Sequence, residues 1–394
     1  MSMSMSKSHN KQPFGQLVIG PPGSGKSTYS RALKHAFTQL GRPTVLVNLD
    51  PANDSTDSND STNTSIDIDI DIAHLISLQD AMDEFGLGPN GALVYCLEYL
   101  AANLDWLRHQ LAPHLDQGSY FLFDLPGQVE LFSHHSAIQS IIHLLTSRSA
   151  NINMRLTVVQ LMDAHHLLSP SSTLSNYKYL SAVLFVLQSM MHLELPQVNL
   201  LSKIDLAASQ AHAYGHSLPL RLSAYTHPDD IHLLLPSTPP DDTSSSSSPL
   251  SSKLNKLNKE LADFISDYAL VEFLPFAVTD PMCLQAAITL VDKASGYAYG
   301  AIAGDVSVAA LIDEVVEKYD AELRHHTSQL DADEHEHDFG SEGVSAQPGM
   351  EHLDQDMFDR WNRLQREVAV GKSGGASTGT IDKVGVKDIM ERLV

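Results

Sequence analysis

The sequence predicts a doubly wound, mostly parallel α/β sheet with polar insertions and a separate C-terminal tail. Three observations carry that expectation. Short apolar runs alternate with segments of helical spacing over the first two-thirds of the chain. Most of those runs end on or near a polar residue or a glycine, where open α/β sheets hold their ligands. Hydrophobic residues make up 43% of the 394 residues, enough for a large core.

The strand candidates are Leu17–Ile19, Thr44–Leu49, Tyr120–Phe123, Leu156–Leu161, Val198–Leu201 and Val271–Val278. Between them, Ser27–Leu40, Leu93–Leu107, Ile138–Leu145 and Leu174–Met191 have the spacing of helices. Such alternation favours a parallel sheet covered on both faces. Residues 1–13 are polar and expected to be disordered. The α/β domain is placed at 14–300. Within it, 53–65 (NDSTDSNDSTNTS) and 236–252, with a run of five serines, are polar insertions too poor in apolar residues to order themselves. Residues 301–394 form a helical and acidic tail, partly disordered, in which Met350–Val370 has helical periodicity.

Composition excludes several classes. With 25 Lys+Arg against 48 Asp+Glu the net charge is −23, so direct nucleic-acid binding through phosphates is not expected. Two cysteines, Cys96 and Cys283, cannot build a disulfide framework or a cysteine zinc cluster. No run approaches the roughly 20 apolar residues of a membrane span. The expected setting is cytoplasmic.

Gly20-Pro21-Pro22-Gly23-Ser24-Gly25-Lys26-Ser27 fits G-x-x-x-x-G-K-[ST] between a strand and a helix. Glycines let the backbone N–H groups turn toward a phosphate, and the helix N-terminus adds partial positive charge. Lys26 is expected to reach the β/γ-phosphates and Ser27 to ligate Mg²⁺, with Thr28 next in the helix. The domain is thus a P-loop NTPase. Asp124, at a strand end before Leu125-Pro126-Gly127-Gln128, is the expected second Mg²⁺ ligand, with Gln128 orienting water. Asp50, in Asn48-Leu49-Asp50-Pro51, is placed near Mg²⁺ or the attacking water. Ser202-Lys203-Ile204-Asp205 fits [NST]-K-x-D: a carboxylate at Asp205 pairs guanine N1–H and the 2-amino group together, and adenine leaves it unpaired. Gly88-Pro89-Asn90, by local chemistry alone, is a surface turn.

These motifs, in this order, resemble the GPN-loop GTPases, and among them the eukaryotic type-two paralogue. The matching stretches are Phe14-Gly15-Gln16 into the P-loop, Asn48–Asn53, Gly88–Leu100, Phe123–Phe132, Leu193–Leu206 and Asp292–Tyr297. The resemblance implies GTP and GDP as ligands, Mg²⁺ as cofactor, and a homodimer or a heterodimer with a paralogous GPN-loop GTPase. It implies that the loop Gly88, Pro89, Asn90 enters the partner's active site, so that Asn90 acts in trans. It also implies RNA polymerase II subunits or assembly chaperones as partners, with shuttling to the nucleus. The chain departs from the family where Asp71-Ile72-Ala73-His74 stands for the usual Asp-Ile-Arg-Asp, and no Lys or Arg occurs from Pro43 to Leu107. Two other functions stay open: a GTP-dependent binding module with little turnover, and a P-loop small-molecule kinase.

Overall fold

The computed structural model describes residues 12–53, 68–128, 131, 135–148, 152–168, 174–214, 221–227, 249–268, 271–297 and 308–324. Seven parallel strands form one sheet in the order β3-β2-β4-β1-β5-β6-β7. They are β1 Phe14–Ile19, β2 Thr44–Asn48, β3 Ile70–Asp71, β4 Tyr120–Asp124, β5 Arg155–Asp163, β6 Gln197–Ser202 and β7 Phe273–Phe276. Six match the expected runs. The two-residue β3, paired through Val47 to Ile70 and Asn48 to Asp71, is an addition. Its run is too short to stand out beside the polar stretch that precedes it.

Strand side chains alternate between the two faces. Leu17, Ile19, Val45, Val47, Phe121 and Phe123 face helices α3 (Pro89–Ala102), α4 (Leu104–Asp116) and α5 (Ser136–Thr146). Val18, Leu46 and Leu122 face α1 (Lys26–Gln39), and Val159 and Leu200 face the helix Pro281–Ser295. Burial on both faces explains why these strands are nearly all apolar. The expected single helix Leu93–Leu107 is two helices. Asn103 breaks it with φ −115 and ψ 40, and its side-chain amide donates to Tyr99 O at 2.8 Å.

The motif Asp292–Tyr297 closes the edge of the sheet where the strands begin. Arg42, just before β2 and 3% exposed, makes two bonds to Asp292, Nη1–Oδ1 at 3.1 Å and Nη2–Oδ2 at 2.6 Å. Its guanidinium lies 4.1 Å from the ring centres of both Phe37 and Tyr297, and 5.1 Å from that of Tyr120. Gly296, at φ 71, ends the preceding helix in a left-handed turn that aims Tyr297 N at Asp292 O, 2.9 Å away.

The chain divides into two compact units. One comprises residues 1–297 and 308–324; the other, 298–307 and 325–394, lies outside the described residues. The helix Val308–Arg324 therefore belongs with the α/β unit, although the sequence assigns it to the tail. It buries Leu311, Val315, Tyr319 and Leu323, a stripe at four-residue spacing. The expected disorder of 1–13, of most of 53–65 and 236–252, and the periodic segment Met350–Val370 fall almost wholly outside the described residues. The helix Pro249–Tyr268 starts within the second insertion. Among the described residues, no helix is long and apolar enough to cross a membrane.

Candidate functional site

Because all strands are parallel, their ends meet at one edge, and every strand-end motif residue lies there. Gly20, at φ 148, follows β1. A Cβ on it would stand 2.3 Å from Leu161 O of β5, so only glycine lets the loop leave the sheet beside β5. Gly23 and Gly25 also take positive φ, 77 and 91, and Gly25 caps α1. The loop therefore opens its backbone over a helix N-terminus. Ser24 is fully buried and its hydroxyl has no hydrogen-bond partner. Lys26 begins the helix, 7% exposed, with Nζ 3.3 Å from Pro21 O. Burial pulls its pKa down, opposed by the charges of Asp124 and Asp50. Thr28, one turn in, is exposed.

Asp124 ends β4 and is 4% exposed. Burial pushes its pKa up to about 6, against a hydrogen bond from Ser27 and the charge of Lys26. Its Oδ1 has no hydrogen-bond partner. An unpartnered buried carboxylate oxygen next to a serine hydroxyl is the oxygen-rich donor set a hard divalent cation requires, so these residues fit Mg²⁺. Asp50 is half-buried, its carboxyl raised by burial and restrained by the bond from Ala52 N at 3.0 Å. Asn53, which sequence reasoning did not select, donates to Ser27 Oγ at 3.4 Å. At Gly127 a Cβ would lie 2.7 Å from Lys26 Nζ and 2.9 Å from Pro22 N, which places this loop directly over the P-loop.

Gln128 donates to Asn90 Oδ1 of the same chain at 2.7 Å. Gly88, Pro89 and Asn90 are exposed and form the start of α3, with Gly88 as the cap and Pro89 in the first turn. The surface turn read from local chemistry is thus a helix N-terminus. Ala73 and His74 are exposed on a short 3₁₀ turn after β3, which Asp71 caps by accepting from Ala73 N at 2.9 Å.

Ser202 ends β6 and Ile204 and Asp205 open α8 (Ile204–Tyr214). Ser202 Oγ donates to Ser24 O at 2.7 Å, tying this loop to the P-loop. Lys203 is held at φ 59 and donates to Asp163 Oδ2 at 2.8 Å. Asp163 Oδ1 accepts from His165 N at 3.0 Å, at the start of α6 (Ala164–Leu168). Asp205 Oδ2 accepts from Thr279 Oγ1 at 3.3 Å. Sequence reasoning missed Asp163 and Thr279 as contacts of this loop. Asp163 stood at a strand end, a usable signal; Thr279 carried none.

An all-parallel sheet with a glycine phosphate loop, a lysine and serine at the helix start and a buried strand-end aspartate defines a P-loop nucleoside triphosphatase. A family model described as "Conserved hypothetical ATP binding protein" matches residues 18–297. The chain is 43% identical over 287 residues to GPN-loop GTPase 2 of Danio rerio, covering 73% of this chain and 82% of that protein. It is 42% identical over 295 residues to GPN-loop GTPase QQT1 of Arabidopsis thaliana, covering 75% and 88%. The chain belongs to the GPN-loop GTPase family, and type-two members are among its relatives. Its fold is similar to that of a crystal structure of a Pyrococcus abyssi GTPase in apo form, with a TM-score of 0.52, 17% identity, and coverage of 72% of this chain and 98% of that one.

Proposed function

We propose that the chain binds GTP with Mg²⁺ and hydrolyses it by in-line attack of water on the γ-phosphate. The observation that carries this reading is the buried Asp124 oxygen without a partner, beside Ser27 and below the glycine loop. Asp124 and Ser27 would hold Mg²⁺, which supplies charge neutralisation to the phosphates. The backbone of Gly20, Gly23, Ser24 and Gly25 cradles the phosphates, and Lys26 contacts the terminal ones. Asp50 and Gln128 position the water. With little covalent chemistry to perform, catalysis rests on positioning and charge.

The family model's description names ATP, whereas the relatives' names specify GTP. Asp205 decides for guanine, because adenine has an acceptor at N1 and no 2-amino donor. Asp205→Asn is expected to weaken GTP and shift preference toward xanthosine nucleotides, read by competition against a fluorescent GDP. Equal ATP and GTP affinity in the unaltered protein would refute the assignment.

We further propose a dimer, with itself or a paralogue, in which Asn90 serves the partner's site. The loop Gly88–Asn90 is exposed enough to do so, although in the single chain Asn90 already meets Gln128. Gln128→Leu should keep GTP affinity and slow hydrolysis. Asn90→Ala should cost turnover, at most roughly 10²–10³-fold. Mixing Asn90→Ala with Lys26→Ala separates the arrangements: partial recovery in mixed dimers supports action in trans. No recovery, with mixed dimers demonstrably formed, returns Asn90 to its own subunit.

Family resemblance supports a role in RNA polymerase II assembly and nuclear import, from the cytoplasm, with polymerase subunits or assembly chaperones as partners. Affinity purification in GTP-locked and GDP states, read by mass spectrometry, tests this. Recovery of no polymerase subunit in either state would end it. Phosphate release from GTP and Mg²⁺ with no acceptor added excludes the small-molecule kinase, and single-turnover hydrolysis excludes the passive binding module. We place the domain limits at 14–297 plus the helix 308–324.

A further inference from the structure

Helix α12 is Val308–Arg324, and it packs against α8, β7 and α11 (Pro281–Ser295). Its stripe of apolar residues accounts for its docking, but not for the polar contacts it makes. Lys318 Nζ lies 2.7 Å from Asp280 Oδ2, and Tyr319 OH donates to the same oxygen at 3.0 Å. Asp280 Oδ1 accepts from Met282 N at 3.0 Å, capping α11. Asp280 is 8% exposed. Burial disfavours its charge, but the bonds from Lys318, Met282 N and Tyr319 outweigh this and hold the carboxyl below its usual range. Asp280 is thus a fixed, ionised post.

The neighbour of that post is Thr279, whose hydroxyl donates to Asp205 Oδ2. Helix α12 also meets α8, the helix whose first turn carries Asp205. One helix therefore braces both elements that set the Asp205 carboxylate: the helix it stands on and the loop that bonds to it. Asp320 Oδ1 also accepts from Leu222 N at 2.6 Å.

We propose that Lys318 and Tyr319 are positioning residues for base selection, acting through Asp280 and Thr279 on the Asp205 carboxylate. This rests on the assignment of Asp205 as the guanine reader. A carboxylate selects guanine only if both oxygens are aimed, one at N1–H and one at the 2-amino group. Loosening its supports blunts the choice while leaving the phosphate cradle, at β1 and β4, as it was.

The test compares GDP with inosine diphosphate, which lacks the 2-amino group, on the full chain. Lys318→Met and Tyr319→Phe should each lower the GDP-to-inosine-diphosphate affinity ratio by about threefold or more, with inosine diphosphate affinity within about twofold of the original. Lys318→Arg, which keeps the ion pair, should keep the ratio. A helix that merely stabilises the fold would weaken both nucleotides in step, and that result, or an unchanged ratio, overturns the inference. Tyr319→Phe removes one hydroxyl from a packed ring, so it remains informative if Lys318→Met unfolds. Asp205→Ala in the same assay separates the two levels. If it abolishes the ratio and the α12 variants leave it unchanged, only the positioning role fails; if it leaves the ratio intact, the guanine reader is wrong and the inference falls with it.

Discussion

Arg42→Ala is expected to lower unfolding stability by about 3 kcal/mol, because it leaves the Asp292 carboxylate, 16% exposed, without its partner. Burial already raises the carboxyl of Asp292, and the Arg42 bonds and charge are what oppose it. The loss includes packing as well as charge, since the guanidinium lies against Phe37, Tyr120 and Tyr297. Arg42→Lys should recover only part, as an ammonium cannot match two carboxylate oxygens and stack flat at once. Urea unfolding would show the midpoint falling with the slope unchanged. A loss below about 1 kcal/mol would mean that Arg42 and Asp292 are no more than a surface pair. Nucleotide affinity of the folded protein should not change, because this pair lies at the opposite edge of the sheet.

Lys26→Ala is expected to show the reverse pattern. GTP affinity should fall at least about 100-fold, as two charge-assisted hydrogen bonds of roughly 1.5–3 kcal/mol each imply. The apo protein should keep its stability. Burial works against the Lys26 charge, and its bond to Pro21 O is long, so little is lost when it goes. Titration with a fluorescent GTP analogue and a thermal scan of the same sample check both halves. Affinity within about threefold of the original would remove Lys26 from the phosphate site.

Much of the site was legible because its chemistry is local. Gly20 to Ser27 encodes its own backbone path, and Asp124 and Ser202 stand at the ends of runs that could only be buried strands. What could not be read lies between residues far apart. Lys203 meets Asp163 across 40 positions, and Asp205 meets Thr279 across 74. Asp163 is marked only as the end of a strand, and Thr279 is not marked at all. The sequence reading places the helix Val308–Arg324 in the tail, yet the four-residue spacing of Leu311, Val315, Tyr319 and Leu323 is there to be found. Asp292–Tyr297 served as a family signature, and its work is architectural: nothing in six residues shows that they would close around Arg42, 250 positions earlier.

The strand order also has a consequence for how the protein is made. Strand β1, which launches the phosphate loop, lies between β4 and β5, with Gly15 opposite Phe121 and Leu156. A chain emerging from the ribosome therefore exposes Leu17, Val18 and Ile19 with neither hydrogen-bonding neighbour until more than a hundred further residues have followed. At about 5–20 residues per second that is a wait of several seconds or longer with an apolar edge uncovered. The base reader at Ser202–Asp205 comes later still, so nucleotide cannot help the early segment to fold. Release of ribosome-bound chains arrested just after β4 or just after β6 should give aggregation from both, and soluble, nucleotide-retaining product only from chains that continue past α12.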